Sequence, residues 1–343
     1  MTSVETPTTD AVENAIELKE VEGLSQGRIV LRRFLRHRGA MISAAVLIFV
    51  ILLATTSIGW GPIPGWWKWT ILDQAPIVNG GHPTLSFSGG LTVGEHPFGQ
   101  DNIGKDVFAL VMRGTQQSLL VMFTIGLLAT TIGILVGSAA GFFRGRLDNI
   151  LMRGTDMVIT IPTIMVGAIL GRWVGGASPI ALALALSAIT WTSMARLVRG
   201  EFLSLREREF VDAARVAGAS NGRIMFKHIL PNSVGVIIVN ATLLMASAIL
   251  LETALSYLGF GIAFPDVSLG NLISEYQTAF ATRPWLFWWP GAFIITIALC
   301  VNFIGDGLRD AFDPRQRRIP TRRALARADR KAERRAAQAA AKA

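Results

Sequence analysis

An all-α integral membrane protein with six transmembrane helices is the fold class this sequence predicts, and three observations predict it. Charged residues make up only 17% of a 343-residue chain that is 51% hydrophobic, and the mean hydropathy is +0.45, so charge must be segregated from long apolar stretches. Five uncharged runs are each long enough to cross roughly 30 Å of hydrocarbon at ~1.5 Å per residue, and a shorter sixth completes the set. Lys and Arg alternate with those runs. With the N-terminus inside, six precede the first span and three, seven and twelve fall in the later segments on the same side, against five on the other. That asymmetry orients a multi-pass chain in the cell membrane with both termini cytoplasmic.

The elements follow in order. Residues 1–27 form a Thr-rich acidic tail carrying Glu5, Asp10, Glu13, Glu17, Glu20 and Glu22; it lacks the basic, apolar and cleavage regions of a signal peptide and is expected to be disordered. Residues 28–60 hold a basic segment and the first span, Met41–Ile58. Residues 61–118 are an extracytoplasmic loop rich in Gly, Pro and Trp. In its last stretch, His96 to Asp106, Pro97, Gly99 and Gly104 mark turns, and Asp101 and Asp106 read better as caps than as metal ligands beside His96. The core, 119–314, holds the other five spans. Leu119–Phe143 carries Gly133, Gly137 and Gly141 every four residues, a spacing that permits close helix packing. Met157–Gly171 is the shortest run, accepted because Asp156 and Arg172 stand at its two ends. The next run is Trp173–Ala195, joined to it by a short Gly-rich turn near Gly175 and Gly176, and Ile229–Leu251 and Pro284–Gly305 follow.

Trp60, Trp66, Trp67, Trp69, Trp173, Trp285, Trp288 and Trp289 fall at or beyond the outer ends of spans, as an interfacial aromatic belt requires. The net charge of +9 resides largely in the basic Ala/Arg tail, 315–343, where it points to anionic membrane lipid and not to nucleic acid. Cys300 is the single cysteine, which excludes an internal disulfide.

No nucleophilic triad, paired catalytic carboxylates, phosphate loop or metal-ligand cluster is present in the sequence, so the chain reads as a pore without catalysis or cofactor of its own. Polar residues inside the spans are then the ones to examine: Thr160, Asn240, Glu252 and Asn302 are candidate pore-lining residues. A charge at a helix centre costs ~2.5–3.5 kcal/mol, so Glu252 must face protein, water or the interface. A structural hydrogen bond to a neighbouring helix is the equal alternative for it.

The most informative segment is the polar loop 196–231, between two spans. Ser204 followed by Glu207 is a capping-box pattern that predicts a helix from there to Ala217. Gly218 can take positive φ and turn the chain into a second helix from Ser220 or Asn221. Small side chains at Ala213, Ala214, Ala217 and Ala219 let another surface approach the backbone, and Arg206, Arg208, Arg215 and Arg223 offer polar contacts around them. This is a knob, and a soluble partner must supply its socket.

Glu209, Asp212, Ala213, Ala214, Gly218, Ala219, Ser220 and the closing Leu230 and Pro231 resemble the loop by which membrane subunits of ATP-binding cassette importers grip their ATPases. The stretches 196–200, 255–261 and 305–314 add to the likeness, which spans roughly residues 28–314 and is closest to the second permease subunit of dipeptide and oligopeptide importers. Asp212 stands where glutamate is commoner, His228 where an aliphatic residue is, and Leu269 where tryptophan is. The resemblance implies a type I importer transmembrane domain that pairs with a homologous permease. It also implies two ATPases, which bind ATP and magnesium, docked on the 204–231 loop, and an extracytoplasmic peptide-binding protein above. A nickel or other small-solute permease of the same family is an alternative function, and an ion-coupled carrier is a more distant one.

Overall fold

The computed structural model describes residues 26–86, 92–174 and 178–312; most of the N-terminal tail, the Gly175–Gly176 turn and the basic C-terminal tail lie outside them. The described residues are predominantly helical. A basic amphipathic helix, α1 (Gln26–Arg36), precedes α2 (Arg38–Ser57), whose N-terminus is capped by the His37 ring accepting from the Ala40 amide at 3.0 Å. A two-residue hairpin, β1 (Gly59–Trp60) and β2 (Ile63–Pro64), opens the long loop. Then come α3 (Val107–Phe143), α4 (Gly145–Thr160), α5 (Thr163–Val174), α6 (Pro179–Thr190), α7 (Thr192–Leu205), α8 (Glu209–Val216), α9 (Asn221–Tyr257), α10 (Leu269–Tyr276) and α11 (Trp285–Phe312).

Four of these, α2, α3, α9 and α11, are long and apolar enough to cross a membrane unaided; α4 with α5 and α6 with α7 pass the same test only as bent pairs, giving up to six crossings if each pair is one span. The shortest run, Met157–Gly171, is therefore not one straight span: it is broken at Ile161–Pro162, where α4 and α5 meet at 83°. Proline supplies no N–H and holds the residue before it out of helical space, and Ile161 has φ −90° and ψ 127°. The α6–α7 pair bends by 44° at Trp191, whose indole N–H donates to the Ala188 carbonyl at 2.9 Å and so competes with the helix ladder.

The central helix α3 begins twelve residues before the uncharged run does. Arg113 lies within it, and its charge is met by a bidentate pair with Asp266 at 2.7 and 3.0 Å and by the Gln116 carbonyl at 3.2 Å. The four-residue glycine repeat seats α3 against α7: a Cβ on Gly137 would come within 2.3 Å of the Ala195 carbonyl, and one on Gly141 within 2.7 Å of the Arg199 carbonyl. Glycine is what allows the two backbones to touch. On its other sides α3 packs against α6 and α9, while α11 packs against α2 and α9.

The described residues of the loop 59–106 fold over one end of this bundle, which we call the tryptophan end. Asp106 caps α3 through the Ala109 amide at 2.7 Å, and Asp101 accepts from the amides of Ile103 and Lys105 at 2.9 and 2.8 Å. Both carboxylates thus hold turns. Burial pushes the Asp106 carboxyl upward from its ordinary range, partly offset by His96 at 2.7 Å, the Ala109 amide and the Trp67 indole. The aromatic belt holds only in part. Trp60, Trp66, Trp173 and Trp288 are exposed, but Trp69 stacks on His96, Trp289 on Phe98 and buried Trp285 against His82. Trp285 and Trp289 of α11 fasten the loop to the bundle, and Trp69 holds the loop to itself.

Candidate functional site

The opposite end carries the knob. Helix α8 is rooted by Val211, fully buried in a cluster with Phe142, Val198, Phe202, Ile224 and Ile229. The capping-box expectation fails here. Ser204 lies in the last turn of α7, which continues to Leu205 because fully buried Phe202 holds that turn against α3, and α8 starts only at Glu209. Glu207 pairs instead with Arg144 at 2.6 Å.

The other end of α8 closes as expected. Gly218 has φ +77° and donates to the Arg215 carbonyl at 2.9 Å, while the Ala219 amide donates to Ala214 at 3.0 Å. Those two bonds are the pair that defines a Schellman ending, and Ala214 and Ala219 both rest on the apolar cluster beneath. The outward face presents Glu209, Asp212, Ala213, Arg215, Val216 and Ala217, all exposed, and Val216 reaches 91%. Asp212 pairs with Arg215 at 3.1 Å. Arg206, expected on the rim, turns inward: its guanidinium donates to the Phe142 carbonyl and lies over the Phe142 ring.

Ser220 precedes the next helix as its first flanking residue without a side-chain cap. Leu230 and Pro231 do not end that segment. They lie inside α9, which runs unbroken from Asn221 to Tyr257 because a π turn at Ile224–Ile229 absorbs the missing proline N–H. The Asn232 and Ser233 side chains bond the carbonyls of His228 and Ile229 at 2.6 and 3.0 Å in the same turn. Behind the knob, Arg199 grips Asp148 of α4 through two bonds of 2.6 and 2.8 Å.

Within the bundle a cleft of 380 Å³ opens where α5, the α6–α7 break and α9 meet. Its lining includes Thr163, Thr190, Thr192, Ser193, Asn240 and Ser247, with no charged residue. Of the four candidate lining residues the structure brings only Asn240 to this cleft. Thr160 ends α4 with its hydroxyl on the Met157 carbonyl at 2.7 Å, and Asn302 bonds the Ala298 carbonyl of its own helix at 3.0 Å. Glu252 faces no open space: it is fully buried, accepting from Ser118 of α3 at 2.9 Å and Ser256 at 2.7 Å. Sequence reasoning missed the hydroxyls beside Trp191, which no charge or glycine flags.

Comparison with known proteins bears on both features. Residues 133–318 match the family model for the binding-protein-dependent transport system inner membrane component, and residues 25–64 match the N-terminal transmembrane domain of oligopeptide transport permease C. The chain is 36% identical over 301 residues to the oligopeptide transport system permease protein OppC of Mycobacterium tuberculosis, covering 87% of this chain and 98% of that protein. It is 35% identical over 308 residues to the protein of the same name from Haemophilus influenzae, covering 90% and 94%. A chain of the MetNI methionine ABC transporter, solved in inward-facing conformations, superimposes with a TM-score of 0.50 at 19% identity over 60% of this chain and 97% of that one. That likeness is one of fold, the type I importer transmembrane domain.

Proposed function

Because the chain belongs to the binding-protein-dependent transport system inner membrane components, and to their oligopeptide permease C branch, we propose that it forms half of the pore of an ATP-driven importer of di- or oligopeptides. The observation that carries the reading beyond family membership is the knob: a short helix closed by Gly218 and rooted by Val211, offering small side chains and an almost fully exposed Val216. Such a surface has a use only against a socket. Two ATP-binding cassette ATPases, which bind ATP and magnesium, supply that socket here and on a homologous second permease, and an extracytoplasmic peptide-binding protein docks at the tryptophan end. Both termini are cytoplasmic.

The chain itself does no covalent chemistry. Alternating access moves the peptide: closure of the ATPase dimer displaces the knobs, the bundle halves rearrange around the path, and hydrolysis resets them. Such coupling requires contacts that differ between the two states, since a partner shifts an equilibrium only through differential affinity. The relatives' names favour peptide over nickel as the cargo.

The test is direct. A tagged copy purified from its native membrane should bring down a second permease and two ATPases, and vesicles holding the complex should import short peptides only with ATP. Uptake that persists with a catalytically dead ATPase and follows an imposed pH gradient would make the chain a carrier instead.

A further inference from the structure

We propose that the cleft at the α6–α7 break is a subsite on the transport path that holds peptide main chain through neutral hydrogen bonds; the inference rests on the peptide-importer reading. Three observations carry it. The first is hydrogen-bond accounting. Hydroxyls of Thr155 and Ser187 return to their own helices, to Leu151 at 2.8 Å and Ala183 at 2.6 Å, as does that of lining residue Thr190, to Leu186 at 3.0 Å. Those of Thr163, Thr192, Ser193 and Ser247, all in the cleft lining, have no protein partner among the described residues, and neither has Oδ1 of Asn240. The Asn240 amide nitrogen is fixed on the Val236 carbonyl at 2.9 Å, which leaves that oxygen as an acceptor.

The second observation is chemical class. A peptide leaving water must have its N–H and C=O groups met, because an unpaired amide in an apolar site costs several kcal/mol. Hydroxyls donate and accept alike, and an amide oxygen accepts, so this set serves both kinds of main-chain group. No cation or anion lines the cleft, so it has nothing with which to select a terminus or a charged side chain. Recognition there is tolerant of sequence.

The third is placement. The lining comes from five helices, two of them the halves of the bent α6–α7 pair, and 380 Å³ falls within the ~300–1,000 Å³ of small-molecule sites. A cleft between halves of a broken helix changes shape whenever the 44° bend changes. Binding and release of the main chain are thereby linked to the motion of α7, which leads directly into the knob.

The complete importer, reconstituted in vesicles with its ATPases and saturating peptide-loaded binding protein, provides the test. Ser247→Ala with Asn240→Leu should lower the maximal rate of tripeptide uptake roughly tenfold, the effect of about one hydrogen bond's worth of affinity, while the complex still assembles. A tripeptide bearing a benzophenone side chain should crosslink to α9 or α7 near Ser247 or Ser193 in the wild-type complex, and excess unlabelled peptide should suppress that crosslink. If the wild-type complex imports peptide while the double variant matches it and no competed crosslink forms there, the subsite is overturned and the importer stands; an acyl chain filling the cleft would give that result. If the wild-type complex imports no peptide at all, the function falls and the subsite with it.

Discussion

Replacing Gly218 should damage the knob through its backbone alone, and the structure separates that cause from steric clash. A Cβ built at Gly218 meets nothing within 4 Å, yet φ is +77°. The left-handed region costs a residue with a side chain ~1–2 kcal/mol, less for asparagine, which visits it more readily. If the ATPases bind only the intact Schellman ending, that cost lowers the competent fraction and weakens their affinity by about 5- to 30-fold. The control lies four residues on: a Cβ at Gly222 also meets nothing within 4 Å, but Gly222 is helical with no positive φ, so Gly222→Ala should be neutral or slightly favourable. Affinity of purified ATPase for the permease pair in nanodiscs, measured for Gly218→Asn, Gly218→Ala, Gly218→Val and Gly222→Ala, should fall in the order Asn, Ala, Val, with Gly222→Ala at the wild-type value. Equal affinity for Gly218→Ala and wild type, or equal damage from Gly222→Ala, would refute the reasoning.

Gly137→Ala should lower the thermal stability of the detergent-solubilised protein by the equivalent of ~1–3 kcal/mol or more, because its Cβ would press on the Ala195 carbonyl at 2.3 Å, whereas Gly154→Ala, with open space around it, should not. Glu252→Gln should keep most peptide uptake, since its carbonyl oxygen still accepts from one of Ser118 and Ser256 while its NH2 donates to the hydroxyl of the other, whereas Glu252→Leu strands both hydroxyls and should lose folded protein on gel filtration. In a Cys300→Ala background, a cysteine at Thr278 should react with a membrane-impermeant thiol reagent on intact cells and one at Ser220 only after permeabilisation; the reverse pattern would invert the orientation proposed.

The fold was legible where one physical rule governed alone. Apolar length located the spans, the glycine repeat found the face of α3 that meets α7, and the αL preference of glycine located the end of α8. Reading failed where a partner distant in sequence changed the rule. Arg113 cut the apparent second span short because Asp266, 153 residues away, is invisible to a local window. Glu207 completed a capping pattern yet is taken by Arg144, and Trp69, Trp285 and Trp289 looked like interfacial anchors yet pack against residues of the loop. At the candidate site, Asn240 stood out as a polar residue in a span, but Glu252 drew more notice for its charge although it is sealed between helices. Polarity in a span signals that a partner exists without saying whether it is protein or cargo.

The π turn at Ile224–Ile229 fixes an angle as well as accommodating Pro231. Each residue advances an α-helix by about 100°, so the residue held extra in a π turn sets the azimuth of everything beyond it relative to everything before. The knob lies before it; Asn240 and Ser247 lie after. Winding the same residues as plain α-helix would leave knob and span both helical, yet swing Asn240 and Ser247 about a quarter turn away from the α6–α7 break. Knob and cleft are thus phased like two cams on one shaft, and the irregular turn is the key that holds them in time.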